Sequence, residues 1–384
     1  MKVNIAVFSN NAADWDRIEA GRWDDPPSPP DNITVTEALS LGDLAEPLGF
    51  DGIWCPDHFG TPYGMSPNPL QLLAYYAGRT ERVSFGTMVI VLPWWNPIQV
   101  AHQIAYLDII SGGRFDTIGF GRGVAKTEFE SLNIPREEAR QRFAEGIDII
   151  GLALNSGRFS YEGEIWQIPE MSLRPQPVSK DLMDRLYGAS STGQSLEILA
   201  KRGMKPLFVG NKPMSEAAED VKTVNTIRAG LGMAPCQSKN ILFTYCVPHE
   251  DMLEDADRYL TEANREVRLH YGFEDRSNFE GVEGYEDYAS GEGTATAVLD
   301  EKGRRKTGTG NVYDQSNLLI GTPETIIARI EEGQKLCSFE EISLAARFGS
   351  MTIEQARASL KLFSEEVLPV VHKMETPIHA SALP

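Results

Sequence analysis

Asp57 and His58 stand side by side just after the apolar run GFDGIWC, residues 49–55. An imidazole exchanges protons near neutral pH and a neighbouring carboxyl can share that work, so the pair offers proton-transfer chemistry. The plainer reading is a histidine that ties down a loop by hydrogen bonds. A second candidate is GFGRG, 119–123. Glycines after a strand let the backbone approach a ligand closely, and Arg122 presents a two-pronged fork to an anion. The same residues also suit an ordinary surface loop. A third is ASSTGQS, 189–195, where small hydroxyl residues lead into a helix. Thr192 and Ser195, with the free N–H groups of the first turn, can cradle a phosphate; a plain N-cap uses the same residue types. Arg140 and Arg142 follow on the helix expected over 135–154, where a solvated face is the alternative. Together these describe a proton-transfer group, a phosphate pocket and an anion-holding arginine, the equipment for a phosphate-bearing cofactor.

Elements must bring these residues together from distant parts of the chain. Strand-like and helix-like segments alternate almost throughout. Eight strands are expected, in VNIAVF (3–8), GFDGIWC (49–55), VSFGTMVIVLP (83–93), ISGGRFDTIGFGRG (110–123, a turn, a strand and a glycine-rich end), RLYGASS (185–191), PLFVG (206–210), NILFTYCV (240–247) and FEEISLAA (339–346). Helices are expected between them near 34–48, 67–78, 97–110, 135–154, 193–203, 214–231 and 250–268, and after them at 352–369, where Ile353, Ala356, Leu360, Phe363 and Val367 recur at helical spacing. FSYEGEIWQIPE, 159–170, reads as an inserted hairpin. Alternation of this kind implies parallel strands joined by right-handed crossovers. An open doubly wound sheet is possible, but eight units favour an α/β fold of the closed (β/α)8 TIM-barrel type with insertions, as one domain over 1–384. Residues 271–317 break the pattern, acidic and glycine-rich first, then basic. They read either as a loose insertion or as a lid beside the site.

Composition narrows the partners. Lys plus Arg number 36 against 55 Asp plus Glu, a formal net charge of -19. So acidic a surface repels phosphate backbones and anionic lipid heads, which argues against nucleic acid and membranes. The four cysteines form no CxxC pair and no zinc spacing, and no metal site is expected. The N-terminus lacks the apolar run of a signal peptide, and a cytoplasmic location is expected.

In this order, GFDGIWCPDHF, GTMVIVLPWWNPIQVAHQIAYLDIISGGRFDTIGFGRG (86–123), ASSTGQS and GTPETIIARIEE (321–332) resemble the bacterial luciferase-like family of flavin-dependent enzymes. The likeness spans nearly the whole chain and implies the (β/α)8 barrel. It implies that His58 is the family's histidine near the reactive side of the flavin, with a proton-transfer role. Asp57 stands where relatives often have Glu. The family's non-prolyl cis peptide behind the ring would fall between Met88 and Val89. Arg122 matches an arginine near the flavin phosphate, Arg140 best matches a second, with Arg142 as the alternative, and Thr192 and Ser195 match the phosphate-binding hydroxyls. Ser191 occupies the place of a flavin-contacting Glu in luciferase, and one histidine stands where luciferase has two adjacent; light emission from a long-chain aldehyde is therefore not expected.

The resemblance implies an FMN-dependent two-component monooxygenase. Reduced FMN, supplied by a separate NAD(P)H-flavin reductase, would react with O2 to a C4a-(hydro)peroxide and oxygenate a small apolar organic substrate, by hydroxylation or Baeyer–Villiger chemistry. Trp54, Trp94 and Trp95 can serve as apolar walls or as core packing. A homo-oligomer is implied as well. The rival readings are an F420-dependent oxidoreductase of the same superfamily and a non-catalytic flavin-binding protein. A metal-dependent barrel hydrolase lacks support because no histidine pair stands at ligand spacing.

Overall fold

The computed structural model of the chain describes residues 1–189, 193–210, 212–290, 304–305, 310–311 and 315–384. Eight parallel strands close on themselves: β1 (Lys2–Ala6), β2 (Gly52–Cys55), β3 (Ser84–Thr87), β4 (Phe115–Gly121), β5 (Leu186–Ala189), β6 (Lys205–Phe208), β7 (Ser238–Cys246) and β8 (Phe339–Ala345). Each pairs with the next. The ring shuts where β8 meets β1, with Lys2 opposite Glu341 and Ile5 opposite Leu344. Parallel pairing forbids hairpins, so each strand needs a crossover helix. These are α1 (Asp31–Gly42), α2 (Pro69–Ala77), α3 (Pro97–Ile110), α4 (Ala139–Asn155), α5 (Gly193–Lys201), α6 (Met214–Gly230), α7 (Pro323–Cys337) and α8 (Ile353–Leu362). The fold is the (β/α)8 barrel that the alternation implied.

Local chemistry explains several of the boundaries. Asn96 accepts from Ile98 N and Pro97 opens α3. Thr352 and Gln355 form a capping box at α8. The first helix begins at Asp31, earlier than its apolar stripe suggested, and gives way to turns after Gly42. The apolar run 83–93 is not one strand. It breaks after Thr87 and resumes as a short pair, Ile90–Val91, beside β4. The seventh crossover also differs from expectation. A helix does cover Ala256–Tyr271, but α7 at Pro323–Cys337 is the one that returns the chain to β8. The departure from the barrel pattern thus starts at the end of β7, well before residue 271. It ends at an extra strand, Leu318–Gly321, paired with the top of β7.

Two cores hold this frame. Between strands and helices lies a continuous apolar layer that includes Ile5, Ile53, Ile118, Leu242, Leu344 and Ile104. Inside the barrel, Ala6, Trp54, Met88, Tyr187, Leu207 and Ile241 pack together. Residues of β2 are therefore buried on both sides, which is why it reads as an unbroken apolar run. Below that inner layer the filling is ionic. Lys239 Nζ lies 2.6 Å from Glu341 Oε2 and donates to Thr117 Oγ1 at 2.6 Å. Asn4 Nδ2 donates to Glu341 Oε1 at 2.6 Å. A charge taken from water needs partners of this quality, and removing one partner strands the other. Lys239→Met is therefore expected to destabilise the protein by about 3–5 kcal/mol in denaturant unfolding, while adding Glu341→Leu recovers most of the loss. A single variant as stable as wild type would show that the pair carries no such constraint.

Candidate active site

The strands' C-terminal ends surround one large cavity, about 1410 Å³ counting its open mouth. Asp57, His58, Met88, Val89, Arg122 and Ser195 all reach its wall. Arg140 stands beside Arg122, and Ser191 and Thr192 lie outside the described residues. The peptide bond between Met88 and Val89 is cis, as the resemblance implied.

Asp57 follows β2 and reaches the crossover after neighbouring β3. One oxygen, Oδ2, accepts from Val91 N at 3.0 Å and from Trp95 Nε1 at 2.8 Å. The other, Oδ1, is buried with no partner. Burial pushes this carboxyl up to about 7, against the pull of the two N–H donors. Trp54 is fully buried in the barrel interior and Trp94 packs on Phe59 and Phe129; Trp95 is the one engaged with Asp57.

His58 sits in a cluster that three distant segments assemble. Its Nδ1 lies 3.1 Å from Glu128 Oε1 and 3.2 Å from His270 Nε2, and its Nε2 lies 3.2 Å from the Tyr271 hydroxyl. Phe59 N also donates to Glu128 Oε1. Burial alone would raise the Glu128 carboxyl, but the imidazoles of His58 and His270 outweigh it and hold it down to about 2. Glu128 comes from the short helix Lys126–Ser131 after β4, and His270 and Tyr271 close the helix Ala256–Tyr271. That helix buries Tyr259, Leu260, Ala263, Val267 and His270 on one face, so its last turn is set by the packing of the turns before it. Gly272, at φ +71, ends it. The single histidine of the strand-end motif thus acquires a second from 212 residues further on.

Arg122 lines the cavity, with Arg140 beside it and Arg136 across the Tyr285 ring from it. Arg122 follows β4, Arg136 lies in the turn before α4 and Arg140 is in the first turn of α4. Among the described residues, Arg122 Nη1, Arg136 Nε and Nη2, and Arg140 Nε are buried without a hydrogen-bond partner. Such orphaned donors are rare in folded proteins, and a guanidinium can offer them to an anion. A Cβ on Gly284 would meet Arg122 Nη1 at 2.8 Å and Arg140 Nη2 at 3.1 Å, so the two guanidiniums converge on one point. Arg142 is engaged elsewhere, at 2.8 Å from Glu138 Oε2, which separates it from Arg140. Arg136 and Glu128 were not expected from the sequence, and nothing in their local pattern sets them apart from surface charges. Of the GFGRG glycines, Gly121 and Gly123 line the cavity, and Gly119 and Gly121 serve the packing of the barrel as well. A Cβ on Gly119 would lie 2.1 Å from Thr87 O and one on Gly121 2.4 Å from Val89 Cγ2, so they admit the neighbouring strand.

The two buried carboxyls make opposite demands on pH. In an unfolded chain Asp57 ionises near pH ~4. Held up to about 7 in the fold, it stays neutral where the unfolded chain is charged. The unfolded state then binds fewer protons, so stability is full below about pH 4 and falls as pH rises toward 7. Asp57→Asn removes this titration while keeping an oxygen for the two N–H donors. Its melting temperature is expected to fall less than that of wild type between about pH 5 and pH 7.5. Glu266, which burial raises to about 8, adds to the slope that remains, and His270, which burial lowers, opposes it. Parallel melting curves for the two proteins would contradict the assignment.

Comparison with known proteins agrees with this geometry. The profile of the luciferase-like monooxygenase family matches residues 9–338. The oxygenase component of flavin-dependent trigonelline monooxygenase from Acinetobacter baylyi is 27% identical over 346 residues, covering 87% of this chain and 89% of that protein. The crystal structure of the monooxygenase RslO1 from Streptomyces bottropensis superposes with a TM-score of 0.74 at 24% identity, covering 97% of this chain and all of that one. An F420-dependent secondary alcohol dehydrogenase superposes with a TM-score of 0.68 at 15% identity, covering 96% of this chain and 98% of that one. A match of that extent on a barrel of the same build makes this chain an enzyme of the luciferase-like monooxygenase family.

Proposed function

We propose that the chain is the oxygenase component of a two-component system, which takes reduced FMN from a separate flavin reductase and oxygenates a small apolar organic substrate. The observation that carries this reading is the set of unpartnered guanidinium donors beside an apolar cavity. Arg122 and Arg140 would hold the cofactor phosphate, with Arg136 behind them and Ser195, Thr192 and Ser191 from the segment after β5. Met88 and Val89 would support the ring. When bound, reduced FMN supplies the electrons that activate O2. The chain's own residues do the rest. Val91, Phe243, Phe273 and Tyr288 line the cavity with apolar surface that excludes water. His58 would move the proton, its ring oriented by Glu128 Oε1 at 3.1 Å from Nδ1.

F420 is the second reading. It is favoured by the F420-dependent relative and by the third arginine, because the longer anionic tail of F420 calls for extra basic groups. Titration of FMN, riboflavin and F420, followed by fluorescence, separates the cases. A hydrogen bond to a charged group contributes about 1.5–3 kcal/mol, so FMN should bind roughly 10–100-fold more tightly than riboflavin, which lacks the phosphate. Arg122→Ala and Arg140→Ala should each erode that advantage and leave riboflavin binding unchanged. Equal affinities for FMN and riboflavin would remove the phosphate-site reading, and tighter F420 binding would move the assignment to the second one.

A further inference from the structure

The hydrogen bonds around His58 do not stop at the cavity. His270 Nδ1 lies 2.8 Å from Thr61 Oγ1, and Thr61 is half-buried next to the exposed Gly60. One protonation pattern satisfies the hydrogen bonds that join Tyr271, His58, His270 and Thr61. Glu128 is a carboxylate and can only accept, so His58 carries its proton on Nδ1, facing Glu128 Oε1 and His270 Nε2. His58 Nε2 is then bare and accepts from the Tyr271 hydroxyl. His270 Nε2 is likewise bare, and its proton sits on Nδ1, donated to Thr61 Oγ1. Tyr63 N also donates to Thr61 Oγ1. Each link from Tyr271 to Thr61 then joins a donor to an acceptor; the contact left unmatched is His270 Nε2 with Glu128 Oε2, at 3.5 Å. Tyr271 lines the cavity, whereas His270 is 2% exposed.

We propose that Tyr271, His58, His270 and Thr61 form a proton wire between the cavity and solvent beside Gly60. The inference rests on the functional reading above, in which the cavity must stay dry while protons enter and leave. For one proton leaving, the substrate's proton goes to Tyr271 O as the Tyr271 hydroxyl proton goes to His58 Nε2. The His58 Nδ1 proton goes to His270 Nε2, the His270 Nδ1 proton goes to Thr61 Oγ1, and the Thr61 hydroxyl proton goes to water. Each imidazole ends in its other tautomer, and a proton travelling inward by the same contacts restores it. No charge needs to rest on His270, whose burial disfavours the imidazolium despite the opposing pull of Glu128. Tyr271 would touch the substrate; His270 and Thr61 act only through their neighbours.

The test uses the full-length protein loaded with reduced FMN and mixed with O2 in a weakly buffered indicator-dye solution. Stopped-flow traces compare flavin absorbance with proton exchange to the bulk. In wild type the two signals should coincide. In Thr61→Val and in His270→Gln the dye signal should lag the flavin signal by about tenfold or more, within the ~10²–10⁴-fold that positioned proton transfer contributes. FMN affinity should not change, and Thr61→Ser should restore coincidence. Coincident signals in both Thr61→Val and His270→Gln would overturn the wire and leave the functional reading standing. So would one equivalent of zinc or iron in the purified protein that is lost on His270→Gln, since the imidazole nitrogens and Glu128 would then be holding an ion. Wild-type protein that fails to bind FMN overturns the functional reading and the wire with it.

Discussion

Because all eight strands run the same way, whatever follows a strand's last residue is delivered to one rim, and whatever precedes its first is delivered to the other. The two ends of this barrel divide their labour accordingly. At the N-terminal end the filling is Lys239, Glu341, Asn4 and Thr117, paired with one another and doing no chemistry. At the C-terminal end stand Asp57, His58, Arg122 and Ser195, drawn from three different strand ends around one cavity. The apolar layer of Trp54, Met88 and Tyr187 separates them and gives the cavity its floor. The site depends on this polarity more than on any single contact.

Neighbouring carboxyls at the rim show how strongly surroundings decide chemistry. Asp57 and Glu128 are both buried beside His58. Asp57 has one oxygen facing nothing that can donate and is drawn toward neutrality. Glu128 faces two imidazoles and stays ionised well below the usual range. The motif aspartate therefore behaves as an anchor for Val91 and Trp95, and the acid that answers His58 electrostatically is the one no motif announced.

The barrel was legible in the sequence because its signals are local. Apolar runs, helix caps such as Asn96–Pro97 and the regular alternation each depend on a few adjacent residues. So do the strand-end positions of His58 and Arg122. The break after Thr87 was not legible, since residues 83–93 are mostly apolar and periodicity cannot mark where pairing is interrupted. Nor were Glu128, Arg136 and His270. Their importance arises from three-dimensional convergence, with His270 lying 212 positions from the ring it meets. The helix Ala256–Tyr271 was visible, but its apolar face said nothing about which element it would pack against.

The packing of Tyr285 has its own consequence. Its ring lies 4.5 Å from the Arg122 guanidinium carbon and 4.8 Å from that of Arg136, while its hydroxyl donates to Gly123 O. A ring face attracts a cation through its quadrupole and takes none of its hydrogens. A carboxylate in the same place would have neutralised both guanidiniums and occupied their donors. The segment that crosses over Arg122 thus holds it by an attraction that leaves it positive and still able to donate, while Arg136 is the one that gives a hydrogen to the segment, at Asn278 O.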